Sequence, residues 1–396
     1  MSETDFEFAI VGSGVAGALV ARQLAQAGRK VVILESGGRI DRTEALDRYQ
    51  HALIRNLSAP YPNWPWAPIP DESNPAAYFG KQSSPRYSPS YLKLVGGTTW
   101  HWTGNTPRFL PHDFELEQRY GVGVDWPISY SELEPFYLKA EYALGVAGDS
   151  QDDQGSPRSG PYPMPPIPMT YADKVLAGRL APLGVKVKPF PAARNSQPYD
   201  DRMPCCGSNN CTPICPSGAQ YSAHTDVEKA VHAGARLIDR ATVYRLETNE
   251  SQRLVALHYK LPDGTTHRLT ALHFVLAANS IESPRLLLMS ANPLTPEGIA
   301  NSSGQVGRNL MDHILFFHSF SMPVPLYSGR GPQCVSALAL GGRDGQFRRR
   351  HAATKLFISN ALDAHAAALH RINDEANWGK LIPQLRNELI HRSCFG

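Results

Sequence analysis

The apolar positions of the first 35 residues change period twice. Phe6 to Val11 is a short, mostly apolar run that reads as a buried strand. It ends at Gly12-Ser13-Gly14-Val15-Ala16-Gly17, after which the small and apolar residues of Ala18 to Ala27 read as a helix. Gly28 closes that helix as a left-handed cap would, and Val31 to Leu34 forms a second strand ending at Glu35. Much farther along, Ala241 to Leu246 is another run of strand type. Between Phe316 and Asn360, apolar stretches such as Val335 to Leu340 and Lys355 to Ile358 alternate with glycine and charged turns, which predicts the start of a further sheet. Ala361 to Ile372 then reads as a helix. Two proline-rich stretches, Ala59 to Pro75 and Gly160 to Pro168, suit neither helix nor internal strand and predict extended surface connections. Their interleaved tryptophan, tyrosine and isoleucine predict that they pack and are not free linkers.

The glycines between the first strand and helix carry chemistry. Gly12 permits the tight turn, Gly14 lets the backbone approach a pyrophosphate, and Gly17 allows helix and strand to pack closely. The helix N-terminus, with Val15 and Ala16 in its first turn, then faces the phosphates. Glu35, followed by Ser36, can accept hydrogen bonds from both ribose hydroxyls of an adenosine, and its charge repels the extra phosphate of NADP. With both strands and the acidic residue in place the motif specifies an adenosine diphosphate, and FAD and NAD are equal candidates on these residues.

Composition narrows the class of protein. At 396 residues and 42% hydrophobic content the chain can bury the cores of two or more domains. A net charge of +3 is too balanced to imply nucleic-acid binding or attraction to an anionic membrane. No run approaches the roughly 18 apolar residues of a membrane span, and Met1 to Asp5 is polar, so neither a signal peptide nor a transmembrane anchor is expected.

Four further segments choose between the cofactors by resemblance. Val95-Gly96-Gly97-Thr98-Thr99-Trp100-His101-Trp102-Thr103-Gly104 resembles the paired-glycine flavin loop of the glucose-methanol-choline (GMC) oxidoreductase family. Ala277-Ala278-Asn279-Ser280-Ile281-Glu282-Ser283-Pro284 is similar to the family's second signature, Val306 to His313 to a third, and Asp125-Trp126-Pro127 with Tyr130 to Tyr137 to a fourth. The wording is similar to the large subunits of bacterial membrane-associated glucose, gluconate, sorbitol and fructose dehydrogenases. This resemblance implies an α/β fold, with a Rossmann-like FAD-binding domain over 1–315 (core 1–40, 90–110 and 225–315) and an incomplete, sheet-based substrate domain over 316–396. It also implies FAD contacts from Gly96, Gly97, Thr98, Thr99, His101, Trp102, Thr103 and Gly104. Val243 would lie near the adenine, and Ala277, Ala278 and Asn279 along the adenosine end. Many members carry asparagine where Trp102 stands, so the contacts of that asparagine with the flavin are not carried over. The segment is closer to the pyranose oxidase branch, which implies that His101 is a covalent attachment point for the flavin.

Cys205, Cys206, Cys211 and Cys215 crowd into the loop 205–216 with Gly207, Asn209, Asn210 and Pro213. The spacing suits an iron-sulfur centre, zinc with His224 as fourth ligand, or plain buried thiols. The family resemblance implies the first, a 3Fe-4S cluster on Cys205, Cys211 and Cys215, with Cys206 spare. It further implies a sugar or polyol substrate, a cytochrome c subunit as electron acceptor, and a small chaperone-like subunit whose export signal takes the protein to the periplasmic face of the inner membrane. The family's catalytic histidine and its partner lie in a later segment than the one ending at His391 to Gly396. The chain is therefore expected to be truncated, inactive alone, and without an assignable base; the alternative is a non-catalytic flavin- or cluster-binding fragment. His313 and His101 sit in motifs at other positions, and His365, His370 and His391 read as helix-face residues.

Overall fold

A computed structural model describes residues 5–70, 90–312, 314–333, 335–361 and 378–395. In chain order the elements begin with β1 (Phe6–Val11), α1 (Val15–Gln26), β2 (Val31–Leu34) and α2 (Arg42–His51). They continue with α3 (Tyr130–Leu144), α4 (Tyr171–Leu180), β3 (Val187–Pro189), α5 (His224–His232), β4 (Arg236–Ile238), β5 (Thr242–Thr248), β6 (Leu254–Lys260), β7 (Thr266–Leu276) and α6 (Asn279–Met289). The last are β8 (His318–Ser321), β9 (Val335–Ala339), β10 (Leu356–Ser359), α7 (Trp378–His391) and β11 (Arg392–Phe395).

The chain divides into two compact units, one of Met1–His101 with Ser222–His313, the other of Trp102–Tyr221 with Ile314–Gly396. The first is built on a six-stranded sheet in the order β4-β2-β1-β7-β6-β5. β1 lies parallel to both β2 and β7, which explains why its inner half, Ala9 to Val11, is buried and apolar. β5, β6 and the first half of β7 form an antiparallel meander, and the second half of β7 enters the parallel core beside β1. Ala9, Val11, Val32, Leu34, Leu257 and Leu286 belong to one buried cluster. Gly28 is left-handed, at φ 75°, as expected of the cap, and α1 starts at Val15, three residues before the apolar run, because Gly14 is its N-cap.

The second unit holds an antiparallel sheet in the order β3-β9-β10-β11-β8. β9 and β10 fall on the two apolar stretches expected of a sheet. Residues 102–221 cluster with the later segment, and β3 within them pairs with β9 through Val187↔Ala339 and Pro189↔Ala337. The proline-rich stretches are irregular but packed, with Tyr61, Ala67, Tyr162 and Met164 all buried. Residues 71–75 of the first stretch, His313, His365, His370 and all but the first residue of the expected helix from Ala361 to Ile372 lie outside the described residues.

Candidate functional site: a dinucleotide cavity

A cavity of about 280 Å³ opens where β1, β2 and β7 end in the first unit. Gly12, Ser13 and Gly14 line it, and Gly14 caps α1 with no side-chain bond and no acidic residue in the first turn. The amides of that turn are therefore available to an anion. A Cβ on Gly14 would meet nothing within 4 Å and would project into open space, whereas one on Gly17 would fall 2.0 Å from Gly12 O. The first glycine leaves room for a ligand and the second lets the helix seat against the loop.

Glu35 lines the cavity and is buried, but its carboxylate serves the loop as well. Oε2 accepts from Ser13 N at 3.0 Å and Ser13 Oγ at 2.7 Å; Oε1 accepts from Gly37 N at 3.0 Å and Ser36 Oγ at 3.2 Å. Burial pushes its pKa up, against these four bonds. Ser13 Oγ also accepts from Gly96 N at 3.1 Å, so one hydroxyl ties the paired-glycine segment to the glycine loop and to β2. Ser13 stands between the first two glycines of the motif, and nothing in the sequence marks its role.

From the paired-glycine segment Gly97 and Thr98 line the cavity. Both Gly96 and Gly97 are left-handed, at φ 95° and 56°, and a Cβ on Gly97 would lie 3.1 Å from Gly14 Cα, so the two glycine segments are in backbone contact. Thr99 Oγ1 donates to Gly96 O at 2.5 Å and accepts from Ala223 N at 2.8 Å. His101 is buried, with Nε2 2.8 Å from Ser90 O. Its Nδ1 is a buried atom without a hydrogen-bond partner, and burial holds the imidazole below its usual pKa. Trp102, Thr103 and Gly104 belong to the second unit and bond there: Trp102 Nε1 donates to Tyr221 O, Thr103 O accepts from Arg194, and Gly104 O accepts from Ala193 N. Val243, Ala277, Ala278 and Asn279 all line the cavity, as do Tyr91, Lys93, Glu282 and Arg285, which the sequence did not single out.

In the second unit Cys205 is half-buried, Cys206 exposed, and Cys211 and Cys215 buried. Burial pushes the Cys205 thiol up, with Cys211 and Cys215 near enough to add to it. The loop is pinned by Cys205 N to Asn195 O at 2.8 Å, Thr212 N to Gln333 Oε1 at 2.8 Å, and Gln333 N to Cys211 Sγ at 3.4 Å. The thiols are the right donors for an iron-sulfur cluster, though among the described residues no three ligating side chains converge on one point. His224, the alternative fourth ligand of a zinc, is committed elsewhere: it stacks on Trp100 at 4.5 Å and its Nδ1 lies 3.0 Å from Ser222 Oγ. His391, expected on a solvated face, is half-buried with Nδ1 2.8 Å from Met322 O.

A Rossmann-like sheet with an open glycine loop and a paired-glycine segment seated on it defines a dinucleotide-binding fold, and the family match assigns it to FAD-dependent oxidoreductases. Residues 172–315 match the GMC oxidoreductase family and residues 10–55 the NAD(P)-binding Rossmann-like domain. The chain belongs to the GMC oxidoreductase family. It is 39% identical over 391 residues to the fructose dehydrogenase large subunit of Gluconobacter japonicus, covering 96% of this chain and 72% of that one. It is 32% identical to the 2-methyl-1,2-propanediol dehydrogenase of Mycolicibacterium austroafricanum, covering 77% of this chain and 54% of the relative. The crystal structure of pyridoxine 4-oxidase from Mesorbium loti shares the fold, with TM-score 0.56 and 17% identity over 90% of this chain and 67% of that one.

Proposed function

We propose that this protein oxidises a hydroxyl group of a sugar or polyol and passes the electrons to a cytochrome partner. The observation that carries this reading is the 39% identity to a fructose dehydrogenase large subunit across 96% of the chain. Relatives named as a diol dehydrogenase and as the gluconate 2-dehydrogenase flavoprotein of Pantoea cypripedii support the same substrate class.

FAD, when bound, supplies the acceptor for a hydride from the carbinol carbon. The chain's own residues hold it. The α1 N-terminus would face the pyrophosphate, Gly14 would leave it room, Val243 and Ala277 to Asn279 would hold the adenosine end, and Glu35 fixes the loop through Ser13. His101 is the attachment point of a covalent flavin in this reading. Its Nε2–H donates to the Ser90 carbonyl, so Nδ1 carries the free lone pair, and burial keeps the ring neutral.

Cys205, Cys211 and Cys215 would hold a 3Fe-4S cluster, which when bound accepts electrons one at a time. Such a centre suits delivery to a one-electron carrier, here a cytochrome c subunit, and a small companion subunit with an export signal would place the assembly at the periplasmic face of the inner membrane. Among the described residues no helix is long and apolar enough to cross a membrane. The test is an anaerobic dye-reduction screen with fructose, glucose, gluconate and sorbitol on protein purified from its native host's membranes. Reduction with at least one of them is expected of a protein that carries the later segment with the family's catalytic histidine, and none of the 396-residue chain alone. A flavin-loaded preparation of that longer protein that responds to none overturns the substrate class.

A further inference from the structure

The cavity has a charged wall that the glycine motifs do not explain. Lys93 lines it, with its ammonium 3.3 Å from Glu282 Oε1 and its side chain only 20% exposed. The same carboxylate accepts from the Tyr91 hydroxyl at 2.7 Å and from Arg285 at 2.8 Å. Burial alone would raise the Glu282 pKa, but Tyr91, Lys93 and Arg285 together bring it below its ordinary value, so the carboxylate is ionised. Two cations thus share the Glu282 carboxylate, and the second carboxylate of the cavity, Glu35, is bonded instead to Ser13, Ser36 and Gly37. Arg285 is 60% exposed, so Lys93 is the cation sheltered from solvent.

The backbone around Lys93 is fixed. A Cβ on Gly37 would fall 1.9 Å from Lys93 O and 2.5 Å from Leu94 Cα, so this segment is pressed against the turn that follows Glu35. Leu92 N donates to Thr98 Oγ1 at 3.2 Å, and Val95 N donates to Gly38 O at 3.0 Å. A lysine on a backbone held from both sides, with its ammonium anchored by a carboxylate, loses little further freedom when it meets an anion.

We propose that Lys93, positioned by Glu282, is the cation that neutralises the pyrophosphate of the bound cofactor, an inference that rests on the flavin reading above. The α1 N-terminus offers about half a positive charge, while a pyrophosphate brings two negative ones. The first turn of α1 has no basic residue to make up the difference, and Glu35, a carboxylate on the same cavity, widens it. Lys93 adds a full charge at a water-poor wall, where charge pairs are least screened.

The experiment titrates FAD, and separately ADP, into apoprotein of the full chain in a His101→Ala background, so that binding is reversible. Lys93→Met is expected to weaken both ligands about 10-fold at low salt, with the gap closing toward 0.5 M salt. Lys93→Arg is expected to restore binding to within about 3-fold, and Arg285→Met, removing a solvent-exposed cation, to change it less than about 3-fold. Adenosine, which has no phosphate, should bind all four proteins alike. A Lys93→Met loss that salt does not narrow, that Arg does not rescue, or that extends to adenosine overturns the proposal, as does unchanged FAD and ADP affinity. Should Lys93→Met not fold, the salt slope of Lys93→Arg against the His101→Ala parent decides, an unequal slope overturning it. A parent protein that binds no FAD defeats the flavin reading itself, a result distinct from any of these.

Discussion

Alanine at Gly17 and alanine at Gly14 should fail in different ways. At Gly17 the new Cβ would lie 2.0 Å from Gly12 O and 3.2 Å from the Ala277 Cβ, and relief to the 3.0 Å floor of real contacts moves α1 back by 1.0 Å. The contact is with backbone, so no side chain can swing away. Overpacking of this kind costs about 3 kcal/mol at its upper range, and the better helix propensity of alanine returns about 1 kcal/mol. A net loss of about 2 kcal/mol lowers the melting temperature by roughly 4–8 °C for a unit of this size. Gly14, by contrast, has φ −64°, open to any residue, and its Cβ meets nothing. The weaker cap offered by alanine is largely offset by its smaller unfolded-state entropy, leaving stability within about 1 kcal/mol. The methyl group instead occupies cofactor space, and FAD should bind about 10- to 100-fold more weakly. Urea melts of the apoprotein by tryptophan fluorescence, beside flavin-fluorescence titrations, separate the two effects. Undiminished FAD affinity in Gly14→Ala would refute the pyrophosphate site, and wild-type stability in Gly17→Ala would refute the close helix seat.

Cys211→Ser is expected to remove iron and acid-labile sulfide from anaerobically purified protein; zinc without sulfide in the parent would point to a structural metal. His101→Ala should release flavin on acid precipitation that the parent retains in the protein band, and free flavin in both would exclude the covalent bond. Arg108 has a side chain 2% exposed and pairs with Glu134 and Glu141, so Arg108→Met should cost about 3–5 kcal/mol in a urea melt. A loss under about 1 kcal/mol would show that the remaining Arg158–Glu141 pair suffices. Glu247 accepts two bonds from Arg268 and one contact from His258, which bring its pKa down to about 2. Its folded pKa lies below the ordinary 4.5, so its stabilisation is full above that value and is lost as pH falls toward 2. Glu247→Gln should therefore melt earlier than the parent at pH 7 and alike at pH 2, and an equal gap at both would contradict the pairing.

Local chemistry was legible in the sequence. An unbroken parallel-strand core, a glycine that must turn left-handed and a glycine too crowded for any Cβ are properties of short segments, so β1, β2, the α1 loop and Gly28 fall where the residues put them. Val243, at the start of β5, and Ala277 to Asn279, directly after β7, line the cavity, and it is the family resemblance of their segments that marks them in the sequence. Long-range pairings are a different matter. β3 is three residues, Val187 to Pro189, too short for any period, and its register with β9, together with bonds such as Ser336 Oγ to Asp173 and Arg348 to Asp113, joins 102–221 to the later segment. Ser13 becomes a hub because Glu35 and Gly96, 22 and 83 positions away, meet its hydroxyl. Tyr91 finds Glu282 across 191 positions, and no spacing rule reaches that far. His101 was marked by its motif, yet which of its nitrogens is bound, and which is left bare, depends on where the Ser90 carbonyl comes to rest. The sequence by itself determined the dinucleotide loop, because turn stereochemistry and strand periodicity act over a few residues, and its short motifs carried the resemblance to the family. The tertiary structure alone decided the charged wall, the loop hub and the membership of the second unit, because those depend on which distant segments the packed core brings within hydrogen-bonding distance.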